Sequence, residues 1–253
     1  MKHYEKMVEL GCFSRKMLAE TLGSDAKAAA AIQVYLKKGY IERVRRDLYI
    51  VISLETKQPI LSRYQIGASL FSDACITHHS AFEVLGYANQ VFYETYVATQ
   101  SRFTDFDYNG VSYHRVMPKT HAATVQIGTV LVTSIEQTVV DCINDFEKIG
   151  GLEETLRCIM LVPSLNSTKL LEALKQYDSA FLYQKTGYLL QEMNESLLLP
   201  ASFFDECAKK VPTCKRYLTK EKTGLVLHER WKLYAPASVQ SLINKGVNDY
   251  NAI

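Results

Sequence analysis

The first fifty residues constrain the fold more than any other part of the chain. Three short helical segments, separated by Gly11, Gly23 and Gly39, precede two strand-like runs at residues 40–44 and 48–52. A helix-turn-helix requires a short turn between its second and third helices, and a basic hairpin directly after the third helix is typical of a wing. The order of these elements therefore predicts a winged helix-turn-helix.

Local capping signals place the helix ends in this segment. Ser14 can accept a hydrogen bond from a free N–H at the start of the second helix, and Gly23 can adopt the left-handed conformation that ends it. Ser24 or Asp25 is expected to begin the third helix, which runs through Lys38. The interval between the two helices is short, as the motif requires.

Charge is distributed unevenly along the chain. Residues 1–50 contain ten Lys and Arg against six Asp and Glu, a net charge of +4 in a chain whose total is +2. The other 203 residues therefore carry −2. Because clustered cations attract phosphate backbones, the first fifty residues are the expected nucleic-acid-binding part.

The third helix is expected to have a core face and a DNA face. Ala28, Ile32 and Tyr35 recur on one side, whereas the other side is narrow and rich in alanine. A narrow face can enter the major groove, where Gln33 can read adenine. The alternative is that the alanines only raise helix propensity.

Cations near the second helix and in the hairpin complete the expected interface. Arg15 and Lys16 occupy the first turn of the second helix, where the helix dipole disfavours them unless a phosphate docks there. A tolerated surface pair is the alternative. Hairpin arginines would lie on the DNA backbone or in the minor groove. The expected DNA contacts are Arg15, Lys16, Lys27, Gln33, Lys37, Arg43, Arg45 and Arg46.

The rest of the chain predicts a second, larger domain. A linker separates the expected winged helix at residues 1–55 from the expected second domain at residues 64–253. The Asn109-Gly110 pair between alternating strands predicts a type I′ hairpin, and later segments are mostly helical. The predicted fold class is α/β (α+β), with a winged helix-turn-helix followed by a mixed α/β domain.

Nothing in the sequence indicates an enzyme, a cofactor or a metal centre. The six cysteines form no C-x-x-C pair, and the adjacent His78 and His79 would point about 100° apart on a helix, so they cannot share one metal. Asp141 lies on an apolar helix face and is expected to be a structural hydrogen-bond acceptor. The alternative is a nuclease that uses Asp105, Asp107 or Asp141, although their spacing does not match a metal-binding motif.

The sequence favours a cytoplasmic protein with free thiols. Its start has no apolar stretch of the kind found in a signal peptide. No apolar run approaches the roughly 20 residues that a membrane span needs.

A second basic cluster lies at residues 209–222, with six cations and one acid. It indicates either a contact for nucleic acid or an acidic partner, or a solvated helix end and loop. Charge alone does not separate the two interpretations.

Four stretches of the chain match a known pattern in the same order. They are GYIERV at 39–44 with Leu48-Tyr49, ITHHSA at 76–81 through Gly86, SIEQTVVDC at 134–142 with GGLEE at 150–154, and GYLL at 187–190. On these stretches the chain resembles the AbiEi family of transcriptional-regulator antitoxins from bacterial abortive-infection systems, also classed as type IV toxin–antitoxin pairs. It departs from the family at Asp47, where the family often has Gly, and at Lys185-Thr186, where it has Arg-Leu.

The resemblance implies a DNA-binding autorepressor that binds inverted repeats in its own promoter, either as cooperating monomers or as a dimer. It also implies that the second domain neutralises a cognate nucleotidyltransferase-like toxin without a stable complex between the two proteins. These roles are not visible in the chemistry of the residues. The alternative function is a non-enzymatic protein-interaction scaffold in which the winged helix binds another protein.

Overall fold

The computed structural model describes residues 3–119, 121–240 and 242–243. These residues combine helices with three β-sheets, so the fold is mixed α/β, as the sequence predicts. Within them, no helix is both long and apolar enough to cross a membrane. Lys2 and residues 244–253, which the sequence assigns to the first and second expected domains, lie outside the described residues.

Contacts divide the chain into two compact units. The first consists of Met1–Ile76, Tyr93–Met117 and Gly128–Leu131, and the second consists of Thr77–Phe92, Pro118–Ile127 and Val132–Ile253. The units therefore do not separate at the linker that the sequence places between residues 55 and 64. The reason is that later strands of the first unit pack on its N-terminal part, where the Tyr108 hydroxyl donates to Glu42 at 2.8 Å.

The N-terminal part of the first unit contains three helices and three short strands. In chain order they are α1 (Tyr4–Leu10), β1 (Cys12–Phe13), α2 (Arg15–Leu22), α3 (Asp25–Lys37), β2 (Ile41–Arg45) and β3 (Leu48–Val51). The strands form an antiparallel sheet in the order β1-β3-β2. Every one of these elements contributes to one apolar core, which includes Met7, Phe13, Leu18, Ile32, Tyr35, Ile41 and Val51.

Helices α2 and α3 begin and end at the capping residues that the sequence predicts. The Ser14 and Ser24 hydroxyls each accept a hydrogen bond from the N–H three residues later. Gly23 ends α2 in the left-handed conformation, with φ +68°. Of the two residues expected to cap α3, the structure uses Ser24, and Lys38 closes the other end. Local hydrogen-bonding chemistry therefore fixes the short α2–α3 turn.

The larger sheet contains the strands that follow. They are β4 (Cys75–Ile76), β5 (Glu94–Ala98), β6 (Phe106–Tyr108), β7 (Val111–Val116), β8 (Thr124–Ile127) and β9 (Val130–Thr133), in the sheet order β6-β7-β5-β4-β9-β8. Helix α4 (Arg63–Ala68) packs on β4 and β5. Asn109 and Gly110 have φ values of +50° and +73°, so the β6–β7 turn has the predicted type I′ geometry.

The second unit is mostly helical, as the sequence predicts. Its helices are α5 (His78–Leu85), α6 (Ile135–Asn144), a 3₁₀ turn (Phe146–Ile149), α7 (Leu152–Met160), α8 (Ser167–Lys175), α9 (Ala180–Glu192), α10 (Asn194–Leu197) and α11 (Ala201–Lys209). Three strands, β10 (Arg216–Tyr217), β11 (Leu225–His228) and β12 (Leu233–Pro236), form a sheet in the order β10-β12-β11. Helix α6 contacts α5, α7, α8 and α9, which places it at the centre of this unit.

Candidate nucleic-acid interface

Helix α3 exposes one continuous strip of its surface. Its exposed side chains after Asp25 are Ala26, Lys27, Ala30, Gln33, Val34 and Lys37. At 100° per residue these positions cover only about 120° of the helix circumference. Two alanines, two lysines, a valine and a glutamine make up this α3 strip, so the strip is narrow, free of acids and basic towards its two ends. Ala31, the next alanine after Ala30, is buried in the core.

The start of α2 differs from the expectation that a phosphate docks there. The Arg15 N–H donates to Asp47 Oδ1 at 3.1 Å, so a carboxylate of the same chain occupies that position. The Arg15 guanidinium makes a two-pronged ion pair with Asp25. These two acids offset the unfavourable helix-dipole position of Arg15, whereas the neighbouring Lys16 side chain is exposed. Asp25 is the first residue of α3, but Asp47 comes from the distant β2–β3 turn, so no local sequence signal indicates its contact with α2.

The β2–β3 hairpin turns at Arg46 and Asp47, with Asp47 at φ +54°. Arg46 is exposed, and the exposed Arg43 extends over the Tyr49 ring, 5.7 Å from its centroid. Together with Arg15, these side chains line an open cavity of about 440 Å³ between the hairpin and the start of α2. The cavity walls are rich in guanidinium groups, which suit phosphate oxygens.

Arg45 also borders this cavity, but its guanidinium contacts aromatic rings. The sequence places it in the hairpin turn, but it is the last residue of β2 and pairs with Leu48, after an irregularity in register at Arg43. Regular alternation would place Arg43 and Arg45 on the same face, but the register irregularity lies between them. The Arg45 guanidinium lies 5.5–5.6 Å from the ring centroids of three phenylalanines. These are Phe71, Phe103 and Phe106. The expected DNA contact is therefore a packing residue of the first unit.

Six of the eight expected residues are exposed: Lys16, Lys27, Gln33, Lys37, Arg43 and Arg46. Lys27, Gln33 and Lys37 share the α3 strip, and Arg43 and Arg46 line the cavity beside the hairpin. Arg15 is exposed as well, but it is engaged by Asp25. Arg45 is the residue that the phenylalanines enclose.

No protein-family model matches this chain, and no curated protein matches it. The likeness to the AbiEi family thus rests on the four sequence stretches quoted above.

Three of the six cations in the basic cluster at residues 209–222 form ion pairs with acids of the second unit. Lys209 lies 2.5 Å from Glu206, Lys215 lies 3.8 Å from Glu229, and Lys220 lies 2.7 Å from Glu147. All three pairs are exposed, so each stabilises the fold only weakly. They nevertheless reduce the local excess of positive charge, which favours the solvated helix end and loop over a second nucleic-acid contact.

The carboxylates considered for a nuclease form hydrogen bonds with different groups. Asp105 and Asp107 belong to the first unit, whereas Asp141 belongs to the second. Asp105 lies 2.8 Å from His114 Nδ1, and Asp107 accepts a hydrogen bond from Ser112. Each acid therefore has a separate partner.

Asp141 is a buried acceptor, as the sequence predicts. It accepts hydrogen bonds from Thr77 at 3.2 Å, from Gln137 at 2.7 Å and from the Tyr177 hydroxyl at 2.5 Å. Burial raises the pKa of Asp141 to about 6, against the three donors, which lower it. This network ties α6 to the start of α5 and to the end of α8.

One group of residues in the second unit was missed by the sequence argument. His79, Glu154 and Cys158 are all buried, and their potential ligand atoms lie within 4.8 Å of one another. His79 and Glu154 are 75 positions apart in the chain, so no local spacing rule links them. The available signal was that His79-Glu83 and Glu154-Cys158 both have the four-residue spacing of a helix face.

Proposed function

We propose that the chain is a double-stranded DNA-binding protein in which the first three helices and the β2–β3 hairpin act as a winged helix-turn-helix. The element order and the sheet order β1-β3-β2 support this, because they place a hairpin directly beside α3. In this arrangement α3 enters the major groove and the hairpin turn lies along the DNA backbone.

The observation that carries the proposal is the α3 strip. A helix must be slim to approach base edges, and two of the six exposed residues of this strip are alanines. Lys27 and Lys37 stand at opposite ends of α3, where each can reach a phosphate on one side of the groove. Gln33 lies between them and offers the amide that pairs with adenine.

The hairpin supplies the second set of contacts. Arg43 and Arg46 point to solvent beside Arg15, and each can form paired hydrogen bonds with a phosphate. Arg45 has no part in this contact, because its charge is enclosed by phenylalanine rings. The proposed DNA-binding set is therefore the expected one without Arg45, with Arg15 sharing its charge with Asp25.

The biological role follows from the resemblance rather than from geometry. We assign the chain as a repressor of its own promoter that binds inverted repeats, and as the antitoxin of a nucleotidyltransferase-like toxin. Co-expression of the full chain with the toxin encoded beside it should restore growth. A Lys27→Ala/Lys37→Ala variant should still restore growth if toxin neutralisation resides in the second unit. Failure of the wild-type chain to restore growth would contradict the antitoxin assignment.

The DNA proposal is tested by fluorescence anisotropy on the DNA upstream of the gene, over a salt series, beside scrambled DNA of equal length. Wild-type protein should bind the upstream DNA more tightly and lose affinity as salt rises. Each of Lys27→Ala, Lys37→Ala and Arg46→Ala should weaken binding to both DNAs and reduce the salt slope by about 1. Lys169→Ala, on the exposed face of α8, is the matched control and should change neither.

The outcomes separate the two functional hypotheses. Absence of binding at low salt would refute the winged-helix DNA contact and favour the protein-interaction scaffold. Equal binding to both DNAs would show a basic DNA-binding module without sequence preference and would contradict the repressor role.

A further inference from the structure

Two helices of the second unit each present a pair of potential metal ligands on one face. On α5 the pair is His79 and Glu83, and on α7 it is Glu154 and Cys158. Both pairs have the i, i+4 spacing that stacks side chains on consecutive helical turns. Their side chains meet in the interior, where His79 is 1% exposed and Glu154 is 2% exposed.

We propose that His79, Glu154 and Cys158 bind a zinc ion that links α5 to α7. Imidazole nitrogen, carboxylate oxygen and thiolate sulfur are the three ligand types that zinc takes in proteins, and the sulfur disfavours magnesium and calcium. Three protein ligands leave one tetrahedral position for water or another ligand.

The distances between the ligand atoms agree with this assignment. His79 Nε2 lies 3.4 Å from Glu154 Oε1, and Cys158 Sγ lies 3.3 Å from the same oxygen. Ligands bound to tetrahedral zinc at about 2.0–2.3 Å are separated by roughly 3.3–3.8 Å. All three atoms lie within 4.8 Å of one another, so a contraction of about an ångström completes the triangle.

Other polar side chains contact the proposed ligands and orient them, as is usual around metal ions in proteins. His79 Nδ1 lies 2.8 Å from Glu83 Oε1, so one ring nitrogen faces a carboxylate while the other faces the proposed ion. Carboxylate–histidine–zinc arrangements orient the imidazole in this way. The second oxygen of Glu154 accepts hydrogen bonds from Asn89 at 3.2 Å and from Gln90 at 3.0 Å, which leaves Oε1 directed at the other two ligands.

The surroundings hold these ligands in place and leave a route to solvent. The Phe92 ring stacks on the His79 imidazole with a centroid separation of 4.1 Å. Asn89 and Gln90 are exposed, so the cluster lies one side chain below the surface, beneath the loop between α5 and β5. Zinc bound here would fix that loop as well as the two helices.

The test uses the full chain with Cys214→Ser, which removes the exposed thiol as a competing ligand. After chelator treatment, the protein is loaded with Zn²⁺ and, separately, with Co²⁺. We expect one zinc per chain by elemental analysis, and with cobalt a thiolate-to-metal charge-transfer absorption. Cys158→Ala should abolish this absorption. Cys207→Ala replaces a buried cysteine on α11, outside the cluster, and should retain it.

A second variant keeps the proposal testable if Cys158→Ala fails to fold. Gln90→Ala changes an exposed side chain that donates to the outer oxygen of Glu154, and it should weaken zinc binding by about 10–100-fold with an unchanged circular dichroism spectrum. The proposal is overturned if the folded protein takes up no zinc and shows no cobalt–thiolate absorption, or if that absorption survives Cys158→Ala.

Discussion

Replacement by alanine should have different effects at two neighbouring arginines in the β2–β3 hairpin. Arg45 is enclosed by Phe71, Phe103 and Phe106, whereas Arg46 is exposed at the turn. We therefore expect Arg45→Ala to destabilise the fold and Arg46→Ala to weaken DNA binding. The two variants therefore distinguish a residue that packs in the fold from an adjacent residue that binds DNA.

The magnitude for Arg45→Ala follows from three contributions. Three cation–π contacts at about 0.5–1 kcal/mol each stabilise the wild type, and packing of the arginine stem adds about 2 kcal/mol. In the opposite direction, Nη1 of Arg45 is buried without a hydrogen-bond partner among the described residues, and its desolvation costs about 1–3 kcal/mol. We expect a net loss of about 2 kcal/mol, which lowers the melting temperature by roughly 4–8 °C.

Urea unfolding and DNA anisotropy, measured on the same samples, check this prediction. Arg46→Ala should change the free energy of unfolding by less than about 0.5 kcal/mol. Arg45→Met is the matched control, because it retains an apolar stem but loses the charge, and it should recover part of the stability. Unchanged stability of Arg45→Ala together with a loss of DNA affinity equal to that of Arg46→Ala would refute the reasoning.

Three further predictions concern the fold. The pKa of Asp141 is about 6 in the folded chain against an ordinary value of 3.8, so its contribution to stability is full below pH 3.8 and is lost as pH rises through 6. The stability of wild type relative to Asp141→Asn, measured in urea, should fall by about 2 kcal/mol between pH 4 and pH 8. An equal difference at both pH values would contradict this. A Cβ at Gly187 would overlap the Trp231 ring, so Gly187→Ala should cost at least about 1–3 kcal/mol in thermal unfolding, and a neutral result would show that the ring moves freely. Ser24→Ala removes the α3 cap and should cost about 1 kcal/mol in urea unfolding, whereas no loss would show that Asp25 takes over the cap.

Features set by neighbouring residues could be predicted from the sequence. The Ser14 cap, the Gly23 helix end and the Asn109-Gly110 turn each depend on the chemistry of a few consecutive residues, and all three are confirmed. The exposed α3 strip followed in the same way from helical periodicity. It needed only the knowledge that Ile32 and Tyr35 face the core.

Features that depend on distant segments could not be predicted. The face on which Arg45 lies is set by a register irregularity in β2 and by phenylalanines that arrive from later parts of the chain. The division into units required knowing that residues 93–117 pack with the N-terminal part. The same limitation hid the meeting of His79 with Glu154, because each is an unremarkable member of its own helix.

The most direct test of the DNA-binding proposal is selection of preferred sites from randomised DNA by the wild-type protein and by Gln33→Ala. Wild-type protein should enrich one motif, and Gln33→Ala should lose the preference for adenine at one position while the rest of the motif is retained. Enrichment of no motif by wild-type protein at low salt, or an identical motif from both proteins, would contradict the placement of α3 in the major groove.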